Sequence, residues 1–268
     1  MNPQTVAALK RLNHNFYETY SSDFSSTRTL PWVGWRQALD TCRDSWGGTS
    51  NSRPASILDV GCGNGRFGHF LELELDASFD YIGVDNSDRL LAIAAENLPT
   101  LERGSRSFLH VDVASPDLSS ADFGTRFQLI SACGVLHHIP AYHLRQRLIR
   151  CLIDALEPEG LMILSFWQFG SKSRFLERII SWKTHNTTAA ERLDIEELEV
   201  GDFLLPWGEN GPRRLGPHSP MALRYCHYSD PEESARLINE LSVEVLDSFS
   251  ADGKTHDLNL YYVLRKRF

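Results

Sequence analysis

An α/β fold is what this sequence predicts: a mostly parallel sheet covered on both faces by helices. Two observations lead there. Between residues 56 and 166, short apolar runs alternate with amphipathic helical patterns. The first of those runs enters a glycine-rich turn, Val60-Gly61-Cys62-Gly63-Asn64-Gly65, which opens a helix. With 268 residues, 42% of them hydrophobic and 23% charged, the chain can bury one large core.

The elements follow in order. Residues 5–24 and 32–46 have helical patterning and are joined by an aromatic-rich link around Phe24, Pro31 and Trp32. Gly47-Gly48-Thr49-Ser50-Asn51-Ser52 is turn-forming and closes this N-terminal part. Strands are then expected at Ser56–Val60, Tyr81–Val84, Phe108–Val111, Phe127–Ala132 and Leu161–Phe166, with helices around 66–75, 87–97 and 142–156. Glu157-Pro158-Glu159-Gly160 reads as a stop between the last of those helices and the fifth strand. Residues 170–226 break the rhythm with an acidic cluster (Glu191, Asp194, Glu196, Glu197, Glu199, Asp202) and a Gly/Pro-rich stretch from Pro206 to Pro220. A helix near 231–241 and strands near 243–249 and 258–265 resume it. The expected organisation is one domain over 1–268: a helical cap (1–50), a cofactor-binding core (51–169), an insertion lid (170–226) and a C-terminal helix with a strand pair (227–268).

Composition excludes several classes. No run of about 18 apolar residues occurs, so no membrane span is expected. The N-terminus lacks a basic and then apolar leader, and the five cysteines are scattered without a CxxC pair. A reducing cytoplasm therefore fits, and neither a disulfide framework nor a structural zinc site is expected. A net charge of −8 offers no general attraction for nucleic acid, so any RNA contact needs a local basic patch.

The glycine turn is a ligand-binding signature. Glycines let backbone approach a ligand at the C-terminal edge of a sheet, and Asp85, ending the second strand, can accept hydrogen bonds from ribose hydroxyls. Gly63-Asn64-Gly65-Arg66-Phe67-Gly68 also spells GxGxxG, which brings in a nicotinamide or flavin dinucleotide. Asp59 decides between the two: its carboxylate repels a pyrophosphate and attracts the sulfonium and ammonium of S-adenosyl-L-methionine.

This Asp-Val-Gly-Cys-Gly-Asn-Gly turn with its acid-ending second strand resembles the class I S-adenosylmethionine-dependent methyltransferases, over roughly residues 55–166. The resemblance implies a Rossmann-like fold with a seven-stranded, mostly parallel sheet whose final strand is reversed. It places Asp59, Gly61, Cys62, Gly63, Asn64 and Gly65 around the methionine part, and Asp85 with Asn86 at the ribose. His110-Val111-Asp112-Val113 is similar to the family's third motif, which puts Asp112 and Val113 near the adenine. A simple loop cap is the lesser alternative for Asp112.

The fourth strand leads into Ser131-Ala132-Cys133-Gly134-Val135-Leu136-His137-His138, where donor and acceptor should meet. Cys133 joins the cofactor set on that ground. His137 and His138 could orient an acceptor or move a proton, or simply pack; without a third ligand they make no metal site.

A further set of segments resembles the tRNA wobble-uridine methyltransferases, which esterify a 5-carboxymethyl group on uridine. It comprises Asn15-Phe16-Tyr17, Phe24-Ser25-Ser26-Thr27-Arg28, Pro31-Trp32-Val33-Gly34-Trp35, Val135–His138, Asp202–Trp207 and Leu223–Tyr228. Val33 and Cys226 depart from the family pattern. The resemblance implies substrate-facing roles for Arg28, His137, His138 and Arg224, with tRNA as partner and, by analogy with eukaryotic members, a small activator subunit. A carboxylate is ionised at neutral pH and needs no base, so Arg28 and Arg224 would serve as a bidentate clamp. Phosphate contacts would fall to Lys172, Arg174, Arg178, Lys183, Arg213, Arg214 and the tail Arg265-Lys266-Arg267. Trp32, Trp35, Trp167 and Trp207 could stack a base. A metabolite methyltransferase and a non-catalytic scaffold are the alternatives.

Overall fold

The computed structural model describes residues 1–45, 55–189, 192–208 and 222–267. The turn at 47–52, Arg213, Arg214 and most of the Gly/Pro-rich stretch lie outside those residues.

Strands β1 (Ala55–Val60), β2 (Phe79–Asp85), β3 (Gly104–His110), β4 (Phe127–Cys133) and β5 (Leu156–Trp167) form the parallel part of a seven-stranded sheet. Helices α3 (Arg66–Glu74), α4 (Asp88–Asn97) and α5 (Tyr142–Ala155) lie between them in sequence. After α8 (Pro231–Asn239) come β8 (Val243–Ala251) and β9 (Asn259–Lys266). The order is β3-β2-β1-β4-β5-β9-β8, with β9 antiparallel to both neighbours, so the expected reversed final strand is present.

Alternation sorts the strand side chains into two cores. Leu58, Val60, Ile130, Ala132, Met162 and Leu164 face one side, and Ile57, Leu129, Leu161, Ile163 and Val263 the other. Nearly all are fully buried, each contributing about 1.5–3 kcal/mol, which fixes the register and hence the positions of the strand ends. Helix starts are set by local chemistry: the Ser87 hydroxyl accepts from Leu90 N, and the Asp230 carboxylate accepts from Glu233 N ahead of Pro231.

Two strand boundaries differ from expectation. β3 begins at Gly104, because edge pairing with β2 runs back to Phe79 through polar residues that no apolar pattern marks. Glu157–Gly160 does not separate α5 from β5 but bulges within β5. Leu156 already pairs with Phe127, the register then jumps to Leu129 opposite Leu161, and Glu159 takes φ +62°.

At the N-terminus, α1 (Pro3–Ser26) and α2 (Val33–Ser45) precede the sheet. Within 170–226 stand the short helices α6 (Ser173–Leu176) and α7 (Trp182–Thr188) and an antiparallel pair, β6 (Asp202–Pro206) with β7 (Leu223–His227). α1 packs on this pair: Leu9 clusters with Leu193 and Tyr225, and Phe16 and Tyr20 with Trp207 and Ala222. Among the described residues no helix is long and apolar enough to cross a membrane.

Candidate active site

β1 and β4 are neighbours whose connections leave in opposite directions, so a crevice opens at their C-terminal ends. The glycine turn forms its floor. Gly61 has φ +68°, and a Cβ there would lie 2.8 Å from the Val135 side chain, so the turn and the loop after β4 meet only because this residue is glycine. Asp85 holds the turn from the other side: its carboxylate accepts from Gly63 N and from Ser87 N, each at 3.0 Å.

Above lies a cleft of about 710 Å³, counted to its open mouth. Of the candidate cofactor residues, Gly61, Gly63, Asp85, Asn86, Asp112 and Val113 line it, and so does His138. The others have different surroundings. Asp59 is 3% exposed beneath the turn, accepts from the Tyr81 hydroxyl at 2.8 Å, and is pushed by burial to a pKa of about 7. The Cys62 thiol points toward Gly83 under the turn, and burial pushes its pKa well up. Cys133 lies near Ser131, Ser165 and Trp35, its thiol raised to about 12 by burial. Asn64 donates to Ser25 Oγ at 3.1 Å and to the Arg28 carbonyl at 3.0 Å, tying the turn to the end of α1. Gly65, at φ +77°, is the N-cap of α3.

One wall was not anticipated. Lys10, Asn13, Tyr17 and Phe24 of α1 line the cleft. Their spacings of three, four and seven residues place them on one helical face, a signal the sequence did contain. Lys10 Nζ stands 2.6 Å from Asp112 and donates to the Ala114 carbonyl at 3.1 Å.

Behind Tyr17 and His138 lies a buried cluster of titratable side chains. His138 Nδ1 stands 3.1 Å from the Tyr225 carbonyl. Asn13 Nδ2 stands 3.2 Å from the same nitrogen and the Tyr17 hydroxyl 2.7 Å from Nε2, so both ring nitrogens are engaged in either tautomer. Burial, with Arg224 adding to it, lowers the His138 pKa to about 3, and His137, its ring 4.0 Å away, is also held well below the ordinary value. Burial raises Tyr17 to about 12. Both imidazoles are therefore neutral and the phenol protonated at neutral pH.

Arg224 is the charged member of this cluster. It is 8% exposed, sits over Trp167 at 5.2 Å and Phe16 at 5.8 Å, and its Nε has no hydrogen-bond partner. The groups that favour its charge are Cys226 and Tyr17, both protonated at neutral pH, so no carboxylate among the described residues neutralises it. Arg28 is placed differently: it is half-exposed, lies over Phe24 at 4.9 Å and donates to Thr27 Oγ1 at 3.0 Å. The Phe24 and Tyr17 rings, 5.2 Å apart, lie between it and Arg224.

Two side-chain trios have metal-ligand spacing, His137–His138–Cys226 and Glu199–Asp202–His227. Neither donor set fits a cation. His138 has both nitrogens committed and Arg224 beside it, while Arg145 already binds Glu199 next to His227.

Several bases expected to meet phosphate are engaged elsewhere. Lys172 pairs with Asp257 at 2.6 Å, Arg178 donates to the Gly208 carbonyl, Arg265 bonds Glu244 at 3.3 Å, and Lys266 donates to the Leu156 carbonyl at 2.9 Å. Arg174 lies over Phe175 at 4.6 Å, while Lys183 and Arg267 are exposed. Of the tryptophans, Trp35 and Trp207 are core residues at 3% and 6% exposure, whereas Trp167 lies over Arg224 and Trp32 against Gly134.

Residues 58–162 match the family described as a methyltransferase domain. The probable tRNA methyltransferase 9B of Mus musculus is 25% identical over 232 residues, 84% of this chain and 44% of its own length. The tRNA (carboxymethyluridine(34)-5-O)-methyltransferase of Arabidopsis thaliana is 27% identical over 158 residues, 59% of this chain and 33% of its own. The chain thus spans less than half the length of these relatives. In fold it is similar to magnesium protoporphyrin IX methyltransferase from Synechocystis PCC 6803 with bound SAH, at TM-score 0.57 and 13% identity over 94% of this chain and 97% of that one. Residues 58–162 thus match a methyltransferase domain, in a fold shared with methyltransferases of known structure, and the chain is similar over part of its length to tRNA methyltransferases, among them one that acts on carboxymethyluridine.

Proposed function

We propose that this chain methylates a carboxylate oxygen of a carboxymethyl group on the wobble uridine of tRNA. Arg224 is the observation behind the proposal: a buried guanidinium beside the cofactor cleft with no carboxylate partner among the described residues. Leaving a charge buried and unpaired costs several kcal/mol, and an anionic acceptor compensates it. The carboxylate is ionised at neutral pH, so the neutral histidines suffice; His138 and Tyr17 shape the site and remove no proton. The benefit lies in orientation, with the planar guanidinium fixing both carboxylate oxygens.

The cradle fits S-adenosylmethionine: the glycine turn leaves room at its floor, and acids surround it. When bound, the cofactor supplies a methyl group on a cationic sulfur. Asp85 would hold its ribose, Asp112 (itself held by Lys10) its adenine, and Asp59 would lend negative charge from beneath the turn. A diphosphate would meet these same carboxylates and be repelled.

Asp59 makes that electrostatic role measurable. Its pKa of about 7 means that it ionises across the neutral range, and a sulfonium favours the ionised form. Affinity for S-adenosylmethionine is expected to rise from about pH 6 to about pH 8, and affinity for S-adenosylhomocysteine, without the sulfonium, to rise less. Asp59→Asn flattens the difference. Folding stability moves the other way: folded Asp59 keeps a proton the unfolded chain has released, so its contribution declines as pH rises towards about 7. Calorimetry with both ligands checks this, and equal slopes would remove Asp59 from the cofactor's electrostatics.

The acceptor itself is tested by incubating the chain and methyl-labelled donor with total tRNA and, separately, with a metabolite extract. Base-labile label in tRNA is expected, as a methyl ester requires. Label confined to small molecules would transfer the reading to a metabolite acid.

A further inference from the structure

Strand β7 has two faces. Arg224 and Cys226 share one with the histidine pair, and Tyr225 and His227, one residue out of phase, turn the other way. On that second face His227 is 2% exposed. Its Nδ1 stands 2.7 Å from Asp202 Oδ1 on β6, and its Nε2 3.0 Å from Glu233 Oε2 on α8. Carboxylates only accept, so both ring nitrogens carry protons and the ring is an imidazolium.

We propose that His227, as an imidazolium clasped by Asp202 and Glu233, is the positioning residue of the acceptor site: it fixes β7 so that Arg224 is presented beside the cleft, and loss of its proton releases that face. The inference rests on the reading that Arg224 holds an anionic acceptor.

Every packed element contributes charge here. Asp202 also accepts from the Tyr225 hydroxyl at 2.7 Å. Arg145 of α5 bonds Glu199 at 2.7 Å and Glu233 at 2.9 Å, and Glu199 lies 3.6 Å from His227 Nδ1. Three carboxylates thus face Arg145 and His227, and taking the ring proton away leaves them with one cation. Burial opposes the imidazolium, but the hydrogen bonds to Asp202 and Glu233 outweigh it and hold the His227 pKa above the ordinary value. Two of the neighbours are moved away from its range: His227 and Arg145 hold Glu233 down at about 2, and burial pushes the Tyr225 phenol far up. The contribution to stability is complete below the ordinary histidine value and is lost as pH rises through the folded one. Movement of β7 reaches the cleft directly, since the Tyr225 backbone bonds Asn13 and His138.

The test is a pH titration of the full chain by ¹⁵N NMR, following the His227 ring and the Arg224 Nε–H signal, alongside acceptor and cofactor kinetics. His227 is expected to titrate above its ordinary value, with the Arg224 signal sharing its midpoint. Acceptor KM should rise through the same midpoint while cofactor affinity does not follow it. Glu233→Gln, which keeps the ring, should move that midpoint down by about 1–3 pH units, and His227→Gln should abolish the step. A neutral His227 ring at pH 7, or an alkaline step unmoved in both variants, overturns the proposal. If tRNA takes no label but His227 and Arg224 still share a midpoint, the positioning role stands and the acceptor assignment falls; labelled tRNA with an unmoved step sinks the positioning role alone.

Discussion

Arg224→Ala is expected to lower kcat/KM for the acceptor by roughly 30-fold to a few thousand-fold, about 2–5 kcal/mol, while S-adenosylmethionine affinity stays within about twofold. The range follows from what the substitution removes. In the intact chain a desolvated cation waits over Trp167 and Phe16 with its Nε unpartnered. An arriving carboxylate gains a charge-assisted, bidentate contact in a water-poor site, where such contacts are strongest. Alanine leaves that carboxylate buried without a counter-charge. Arg224→Lys should recover little, because an ammonium cannot grip two oxygens in one plane. Arg28→Ala should cost far less, since Arg28 is half-exposed over Phe24 and screened by water. Single-turnover and equilibrium-binding measurements separate acceptor from cofactor effects. An acceptor kcat/KM unchanged in Arg224→Ala would remove the carboxylate clamp.

The contrast between the two arginines marks what was legible in the sequence. Both came forward from motif context as equal halves of a clamp, but motif context is blind to burial. Arg224 lies on an inward face of β7, and Arg28 just beyond the end of α1. The sheet was readable almost residue by residue because alternation in Ile57–Val60, Leu129–Ala132 and Leu161–Leu164 reflects burial on both faces, which is a local property of the chain. The apolar pattern marks only the end of β3 because an edge strand is specified by its partner's hydrogen bonds, and the bulge at Glu157–Gly160 reads as a turn because it uses turn chemistry. The glycine turn, Asp85 and Asp112 were found at the cleft because loop chemistry at strand ends is sequential. Lys10, Asn13 and Tyr17 were missed as cleft residues because their role arises only when α1, far off in sequence, packs across the crevice. The same distance hid the His227 clasp, whose partners come from β6 and α8.

Asp85→Ala is expected to weaken S-adenosylmethionine binding by roughly 30- to 1,000-fold, about 2–4 kcal/mol, taking two charged hydrogen bonds at about 1.5–3 kcal/mol each and allowing for partial compensation by water. The carboxylate acts twice. Its two oxygens accept from Gly63 N and Ser87 N, so it sets the shape of the glycine turn and the start of α4 together. Burial raises its pKa while those backbone donors oppose the shift, so the chain holds a costly anion at the rim of the cleft. Such an arrangement is retained where a ligand offers further donors, as ribose hydroxyls do. Asp85→Asn separates the two functions: the amide can accept one backbone N–H but lacks the charge, so part of the turn survives while ribose binding weakens. Calorimetry on both variants, with adenosine as a ligand lacking the methionine part, tells them apart. If adenosine and S-adenosylmethionine lose affinity by the same factor, the loss lies at the nucleoside; a loss seen only with S-adenosylmethionine would mean that Asp85 acts through the turn and not on the ribose.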